Sequence, residues 1–484
     1  MGIPMLSSVS LFLLFPEWSG LFLLLVGIFL IFLAFFSKEE RRKTLLCALS
    51  GIAISFCVMG LVGIAEHRLS PLCDKEVSVS GSVVSFSKDS YDLFLTKLDG
   101  KPFYKTMRVE SNEKVNLGDQ IRVSVEINSV FSEKERAEGI YLLATEGEDR
   151  VVIGKNRLYS FVGSIREKLQ EAFLGEEVGG FLSAILLGDK SRISLWQEDF
   201  EKTASMHILA ISGLHISQFI SFFAMLFHLL PVRRRFVRIL LFPLVGILFL
   251  LGGAGISVFR ASFMTLFSLS ALLMRRRGDS VTSLVFAACV LVILNPYTME
   301  SYSFLFSFLS TFAVTSCAVP LSEYFQERLL ENRKKGRFFF RILAGVISSF
   351  IIASAVFVFL LPLQLILFGE AQLFSPLYAL VLVPSFQVCL NVALFSAILV
   401  FLPISIPFLW QGTLLLQKGF LYLVTSLAKA SPELISLEKY TVPTALFFLV
   451  ALFVFFLRKE KLFHVFYLHL ASFVIFLFCK IFLV

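Results

Sequence analysis

Residues 21–65 read LFLLLVGIFLIFLAFFSKEERRKTLLCALSGIAISFCVMGLVGIA, two apolar runs, Leu21–Phe36 and Leu45–Ala65, on either side of the charged hexamer Lys38–Lys43. At 1.5 Å per helical residue, runs of this length approach or cover the roughly 30 Å of bilayer hydrocarbon. The first leads into charges and not into a small-residue cleavage site, so it reads as part of the protein and not as a cleavable signal. Further along, stretches of 15 to 28 apolar residues recur, and the whole chain of 484 residues is 57% hydrophobic and 17% charged, with a mean hydropathy of +0.81. Soluble domains hold about 25% charged residues. The surplus excludes a soluble enzyme, a disordered protein and a secreted disulfide scaffold. The chain reads as a polytopic α-helical membrane protein.

The net charge is +8, and its placement carries the topology. Basic clusters at 38–43, 233–235, 275–277, 333–337 and 458–461 each separate apolar runs. Basic runs can bind nucleic acid, but short loops at membrane boundaries follow from the positive-inside rule, which makes these cytoplasmic. Of seven cysteines, only Cys73 lies outside an apolar segment, and none has CxxC spacing. Neither a disulfide framework nor a thiolate metal site is indicated.

Residues 1–65 are thus read as N-terminal membrane helices, which leaves 66–157 outside the cytoplasm. There the pattern changes to period two, as in Val77 and Val79, Leu93 and Leu95, and Ile121, Val123, Val125 and Ile127. Asp99-Gly100 is a hairpin-type turn. About five short strands in 90 residues predict a small extracytoplasmic β-barrel, an OB-like domain inserted between membrane segments. OB-folds often bind single strands, and Tyr91, Phe94, Phe103 and Tyr104 could stack on bases, although core packing explains such rings at least as often. Yet residues 68–157 hold 14 Lys and Arg against 15 Asp and Glu, so charge alone gives no nucleic-acid surface.

Residues 158–203 read as two further pieces. Phe161, Ile165, Leu169 and Phe173 recur every fourth residue, an amphipathic helix. The apolar run from Gly179-Gly180 to Leu187 is too short to span, and is expected to be re-entrant or buried in protein. Residues 204–484 then contain some nine to eleven apolar spans, broken at Asn295-Pro296 and Ser431-Pro432.

Polar groups inside apolar runs are costly and therefore informative. The densest stretch is Gly188-Asp189-Lys190-Ser191-Arg192, followed by His207-Ile208-Leu209-Ala210-Ile211-Ser212-Gly213-Leu214-His215. If residues 204–217 are helical, Ser205 and Ser212 share a stripe that can line a cavity, and Ser212-Gly213 marks an interruption. The alternative is that these Ser and His join adjacent helices by hydrogen bonds. Arg260 follows Gly252-Gly253-Ala254-Gly255 at the head of another apolar run; it must pair, meet water, snorkel, or face an anion. Ser307 and Gln364 are polar positions in later runs, and Pro376 and Pro384 interrupt another.

In order, these segments resemble the ComEC competence protein family, the inner-membrane channel for DNA uptake in bacterial transformation. Gly188 to Ser191 looks like its GDKS stretch, and His207 to His215 is similar to its H-L-L-A-I-S-G-L-H signature. Ser257 to Ala261 resembles S-x-x-R-A, Ser303 to Phe308 resembles G-F-Q-L-S-F, and Ser375 to Pro384 resembles S-P-x-x-N-x-x-x-x-P. Ser303, Leu305 and Ala379 depart from the expected Gly, Gln and Asn. The resemblance implies a conduit for single-stranded DNA in the bacterial inner membrane. Its path candidates are Asp189, Lys190, Arg192, His207 and Ser212, then Gly213, His215, Arg260, Ser307 and Gln364. A homo-oligomer fits that role.

Many members also carry a metallo-β-lactamase-like domain with an H-x-H-x-D-H motif. The six histidines here, at 67, 207, 215, 228, 464 and 469, form no such motif. Nuclease activity is therefore expected from a separate polypeptide, alongside cytoplasmic DNA-translocation or DNA-binding proteins. No catalytic group, metal or cofactor is expected in this chain. Two other readings stand beside the conduit. One is a transporter or scaffold for non-DNA cargo. The other is an intramembrane serine hydrolase built on Ser212, which needs a His partner.

Overall fold

In the computed structural model, residues 69–431 are described apart from short stretches at 87–88, 112–114, 131, 230, 232, 277, 332–336 and 402–406. Scattered positions between 54 and 66 and the pair 435–436 are described as well. The expected span Leu21–Phe36, most of Leu45–Ala65, three of the five basic clusters in whole or large part, and the apolar runs after residue 436 lie outside the described residues. The chain divides into two units, one of residues 1–163, 285–305 and 450–484, the other of 164–284 and 306–449.

Period-two alternation builds the first unit. Strands β1 (Glu76–Phe86), β2 (Ser90–Leu98), β3 (Thr106–Glu110), β4 (Asp119–Val130) and β5 (Ile140–Lys155) close into a barrel in the order β1-β2-β3-β5-β4-β1. Only the β3–β5 pairing is parallel. Inward residues Val79, Val83, Leu93, Leu95, Val109, Val123, Val125 and Ile127 have no exposed surface. Asp99 and Gly100 both take positive φ, 47° and 75°, and join the paired residues Leu98 and Lys101. The small barrel expected from the sequence is present.

Register decides between stacking and core packing for Tyr91. Tyr91 shares the inward face with Leu93 and Leu95, because side chains two apart lie on one side of a strand. It is 2% exposed, and its hydroxyl donates to Glu146 Oε1 at 3.1 Å, so it is a core residue and not a stacking ring. Phe94, of opposite parity, is exposed, as is Tyr104.

Residues 285–305 also belong to this unit, a link that sequence does not reveal. Asn295 Nδ2 donates to the Arg136 carbonyl at 2.7 Å, and Arg136 pairs with Glu300 at 3.1 Å. The Arg136 guanidinium also lies 4.5 Å from the Tyr297 ring centroid. What reads as a break between spans is a docking segment.

The helices are α1 (Arg157–Phe173), α2 (Gly179–Leu187), α3 (Ser194–Lys202), α4 (Gly213–His228), α5 (Arg234–Leu251) and α6 (Ile256–Leu273). They continue as α7 (Ser280–Leu294), α8 (Tyr302–Ala313), α9 (Val319–Glu331), α10 (Arg337–Phe368), α11 (Ser375–Leu399) and α12 (Pro407–Ala430). A π turn at Val314–Ala318 joins α8 to α9. Among the described residues, four stretches are long and apolar enough to cross a membrane: Ile256–Leu273, Tyr302–Glu327, Ile342–Leu361 and Ser375–Leu399. Gly213–His228 and Ser280–Leu294 are shorter apolar helices. This is a membrane protein with a barrel domain. All nine residues of α2 are buried, as its length requires. Leu169 and Phe173 of α1 join the same core.

Candidate functional site

The GDKS loop begins where α2 stops. Gly188 ends the helix in the left-handed region, φ 73°, and its amide donates to the Ala184 carbonyl at 3.0 Å. A side chain there would stand 3.3 Å from Ile211 and 3.5 Å from the Gly252 carbonyl, so this loop packs against two other polar motifs. Asp189 folds the loop: its carboxylate accepts from the Ser191 amide at 3.0 Å and from Gln170 Nε2 at 3.0 Å. Partial burial acts to raise its pKa, but the Ser191 bonds, Arg166 and Gln170 outweigh that and hold it below the usual carboxylate range. The resulting stabilisation is present above the unfolded pKa and lost as pH falls through the lowered one. Lys190 and Arg192 are exposed.

The signature stretch is not one helix. After α3, Ala204 turns the chain with φ 51°, Met206–Ile208 form a single 3-10 turn, and Ser212 is extended at φ −120°, ψ 179°. Thr203 Oγ1 bonds the Asp199 carbonyl, and the Ser205 amide bonds the Phe200 carbonyl, which terminates α3. The expected shared stripe of Ser205 and Ser212 therefore does not exist. Ser212-Gly213 is a helix start and not an interruption.

Ser212 is the N-cap of α4, and His215 takes the place Glu or Gln holds in a capping box. The Ser212 amide donates to His215 Nδ1 at 3.2 Å, and Ser212 Oγ lies 3.1 Å from the same nitrogen. An accepting Nδ1 puts the neutral ring's proton on Nε2. That Nε2 is buried without a hydrogen-bond partner. The ring stacks obliquely on Phe386 of α11, centroids 5.1 Å apart. His207 is exposed, in the 3-10 turn that precedes Ser212. The cap accounts for the Ser212–His215 contact without any catalytic role.

His215→Ala should lower stability by about 1 kcal/mol through loss of the cap, and His215→Gln should restore it. Thermal unfolding in detergent would measure both; equal losses would contradict the capping role.

Arg260, in the second turn of α6, is 6% exposed. Its Nη1 donates to the Ser307 carbonyl at 2.6 Å, while Nε has no partner. Its Nη2 sits 2.8 Å from where a side chain on Gly213 would begin, so Gly213 is the floor on which the guanidinium rests. Among the described residues, no carboxylate pairs with it. A cation is thus held against the positive end of α4, the opposite of the favourable arrangement. Ser307 is buried and uses its carbonyl for Arg260; its hydroxyl has no partner.

Ser212, Gly213, His215, Arg260 and Ser307 therefore form one cluster, with His207 nearby. Asp189 shapes the adjoining loop. Gln364, half-buried on α10, makes no hydrogen bond to the cluster among the described residues. Sequence reasoning missed Phe386 and also Gln417, which has no exposed surface and donates to the Cys389 carbonyl at 3.0 Å. Gln417 is a polar residue in an apolar helix, the same signal that singled out Gln364. Among the described residues, no group of three or more His, Cys, Asp or Glu is placed to hold a metal ion.

A family model described as Competence protein matches residues 185–462, which takes in every residue of this cluster. The chain is 30% identical over 140 residues to ComE operon protein 3 of Bacillus subtilis, covering 28% of this chain and 18% of that one. It is 30% identical over 259 residues to Recombination protein 2 of Haemophilus influenzae, covering 49% and 32%. The aligned stretches thus span less than a third of either relative. No solved structure matches.

Proposed function

The chain belongs to the Competence protein family, and from that premise we propose that its helical unit passes one strand of DNA across a bacterial inner membrane during natural transformation. The observation that carries this reading is Arg260. A buried guanidinium facing a helix N-terminus, with no carboxylate partner among the described residues, is an electrostatic arrangement that an anion completes. A DNA strand brings one such anion per nucleotide. His215 Nε2 adds an unused donor close to the same helix start. In this reading the barrel lies outside the cytoplasm and the basic loops inside. The other strand is degraded by a separate nuclease, and cytoplasmic DNA-binding or translocating proteins receive the product.

Deleting the gene and restoring it on a plasmid tests the reading. Labelled DNA should remain outside the cytoplasm in the deletion strain and enter it in the restored strain. Unchanged entry after deletion would contradict the function.

A further inference from the structure

Two adjoining cavities, of about 710 and 290 Å³, open where α4 ends, α5 begins and α6 ends. The larger has an apolar wall that includes Val237, Leu241 and Leu269, and a rim of His228, Arg234 and Arg238. The smaller shares Arg238 and adds Arg235 and Arg275. No carboxylate lines either one. Helix capping explains one of the four guanidinium groups: Arg238 Nη1 donates to the Leu272 carbonyl at 3.1 Å, at the α6 C-terminus where a cation is favoured. Arg234, Arg235 and Arg275 are exposed and have no hydrogen bond or ion pair among the described residues.

Arg234 and Arg235 occupy the first turn of α5, where the helix dipole disfavours a cation and favours an anion. Phe236 beside them, and Ile239 and Leu240 one turn further, are exposed apolar side chains, 46–56% accessible. Such a belt next to a ring of cations is the chemistry of a membrane boundary. Phosphate alone matches the rim but leaves the apolar wall unfilled. A hydrocarbon chain matches the wall but not the rim.

We propose that this cleft binds an anionic phospholipid, its phosphate held by Arg234 and Arg238 and one acyl chain lying along Val237, Leu241 and Leu269. The site does not rest on the strand-path reading. It gives the cluster at 233–235 a ligand as well as a topological role.

The full chain, purified in a zwitterionic detergent and exposed to equal phosphatidylglycerol and phosphatidylcholine, provides the test, with retained lipid read by mass spectrometry. The wild type should retain phosphatidylglycerol selectively. Each arginine removed, as in Arg234→Gln, should weaken retention about fivefold, and Arg234→Lys should largely restore it. Ala224→Phe, which fills the cleft without removing a cation, should lose the lipid. Non-selective retention by the wild type, or undiminished retention in both Arg234→Gln and Ala224→Phe, would overturn the proposal. So would displacement of the lipid by inorganic phosphate or a short single-stranded oligonucleotide at matched concentration.

Discussion

Replacing Arg260 by methionine is expected to reduce DNA transfer into the cytoplasm about 10- to 100-fold, the worth of one charged hydrogen bond of roughly 1.5–3 kcal/mol in an enclosed site. The same change should leave thermal stability level or raise it. Arg260 is buried with an unpartnered Nε and no carboxylate partner among the described residues, against the positive end of α4. Apolar replacements of buried charges are often neutral or stabilising. Against that stands the loss of one charged hydrogen bond to the Ser307 carbonyl, about 1.5–3 kcal/mol, which relief of the buried unpaired charge offsets. A residue kept only for packing would show the reverse, a fall in stability with transfer per folded molecule unchanged. Comparing transformation frequency with melting temperature for the same variant separates the two.

Gly180→Ala is expected to prevent accumulation of folded protein. A methyl group at this position would lie 2.5 Å from the Arg192 carbonyl oxygen and 2.8 Å from Arg192 Cβ. Both belong to backbone or its first carbon, which cannot swing aside as the end of a long side chain can. Overpacking a buried helix costs about 1–3 kcal/mol, at the upper end where backbone must move, and it would push away the loop that carries Asp189. Gly246→Ala in α5 is the control. Nothing lies within 4 Å of its added methyl, so it should be neutral or stabilise by about 0.5–1 kcal/mol. Protein level in the membrane and melting temperature measure both; similar behaviour of the two variants would contradict the packing described for α2.

The barrel was legible because period-two alternation in β1, β2 and β4 reports burial directly, and the Asp99-Gly100 turn has the conformation its residues favour. For Tyr91 the sequence left stacking and core packing both open, and its parity with Leu93 is the signal that decides for the core. In the signature stretch, the stripe through Ser205 and Ser212 held only if the chain was helical there, and the single 3-10 turn at Met206–Ile208 with the extended Ser212 removes the helical period between them. Its capping box escaped notice because His, not Glu or Gln, occupies the third helical position. The docking of Asn295 on Arg136 joins residues 159 apart in sequence, and no local pattern encodes such a contact. The convergence of Gly188, Gly213 and Arg260 is likewise tertiary: sequence marked each as unusual, and only packing brought them together.

On the function proposed, a DNA strand passes the Arg260–His215 cluster. A photo-crosslinking amino acid at Phe386, whose ring packs on His215, tests it during uptake of labelled DNA. The incoming strand should cross-link at this position in the active protein, and an Arg260→Met background should greatly reduce the yield. Efficient entry of DNA with no cross-link at Phe386, while positions elsewhere in the protein do cross-link, would contradict the account.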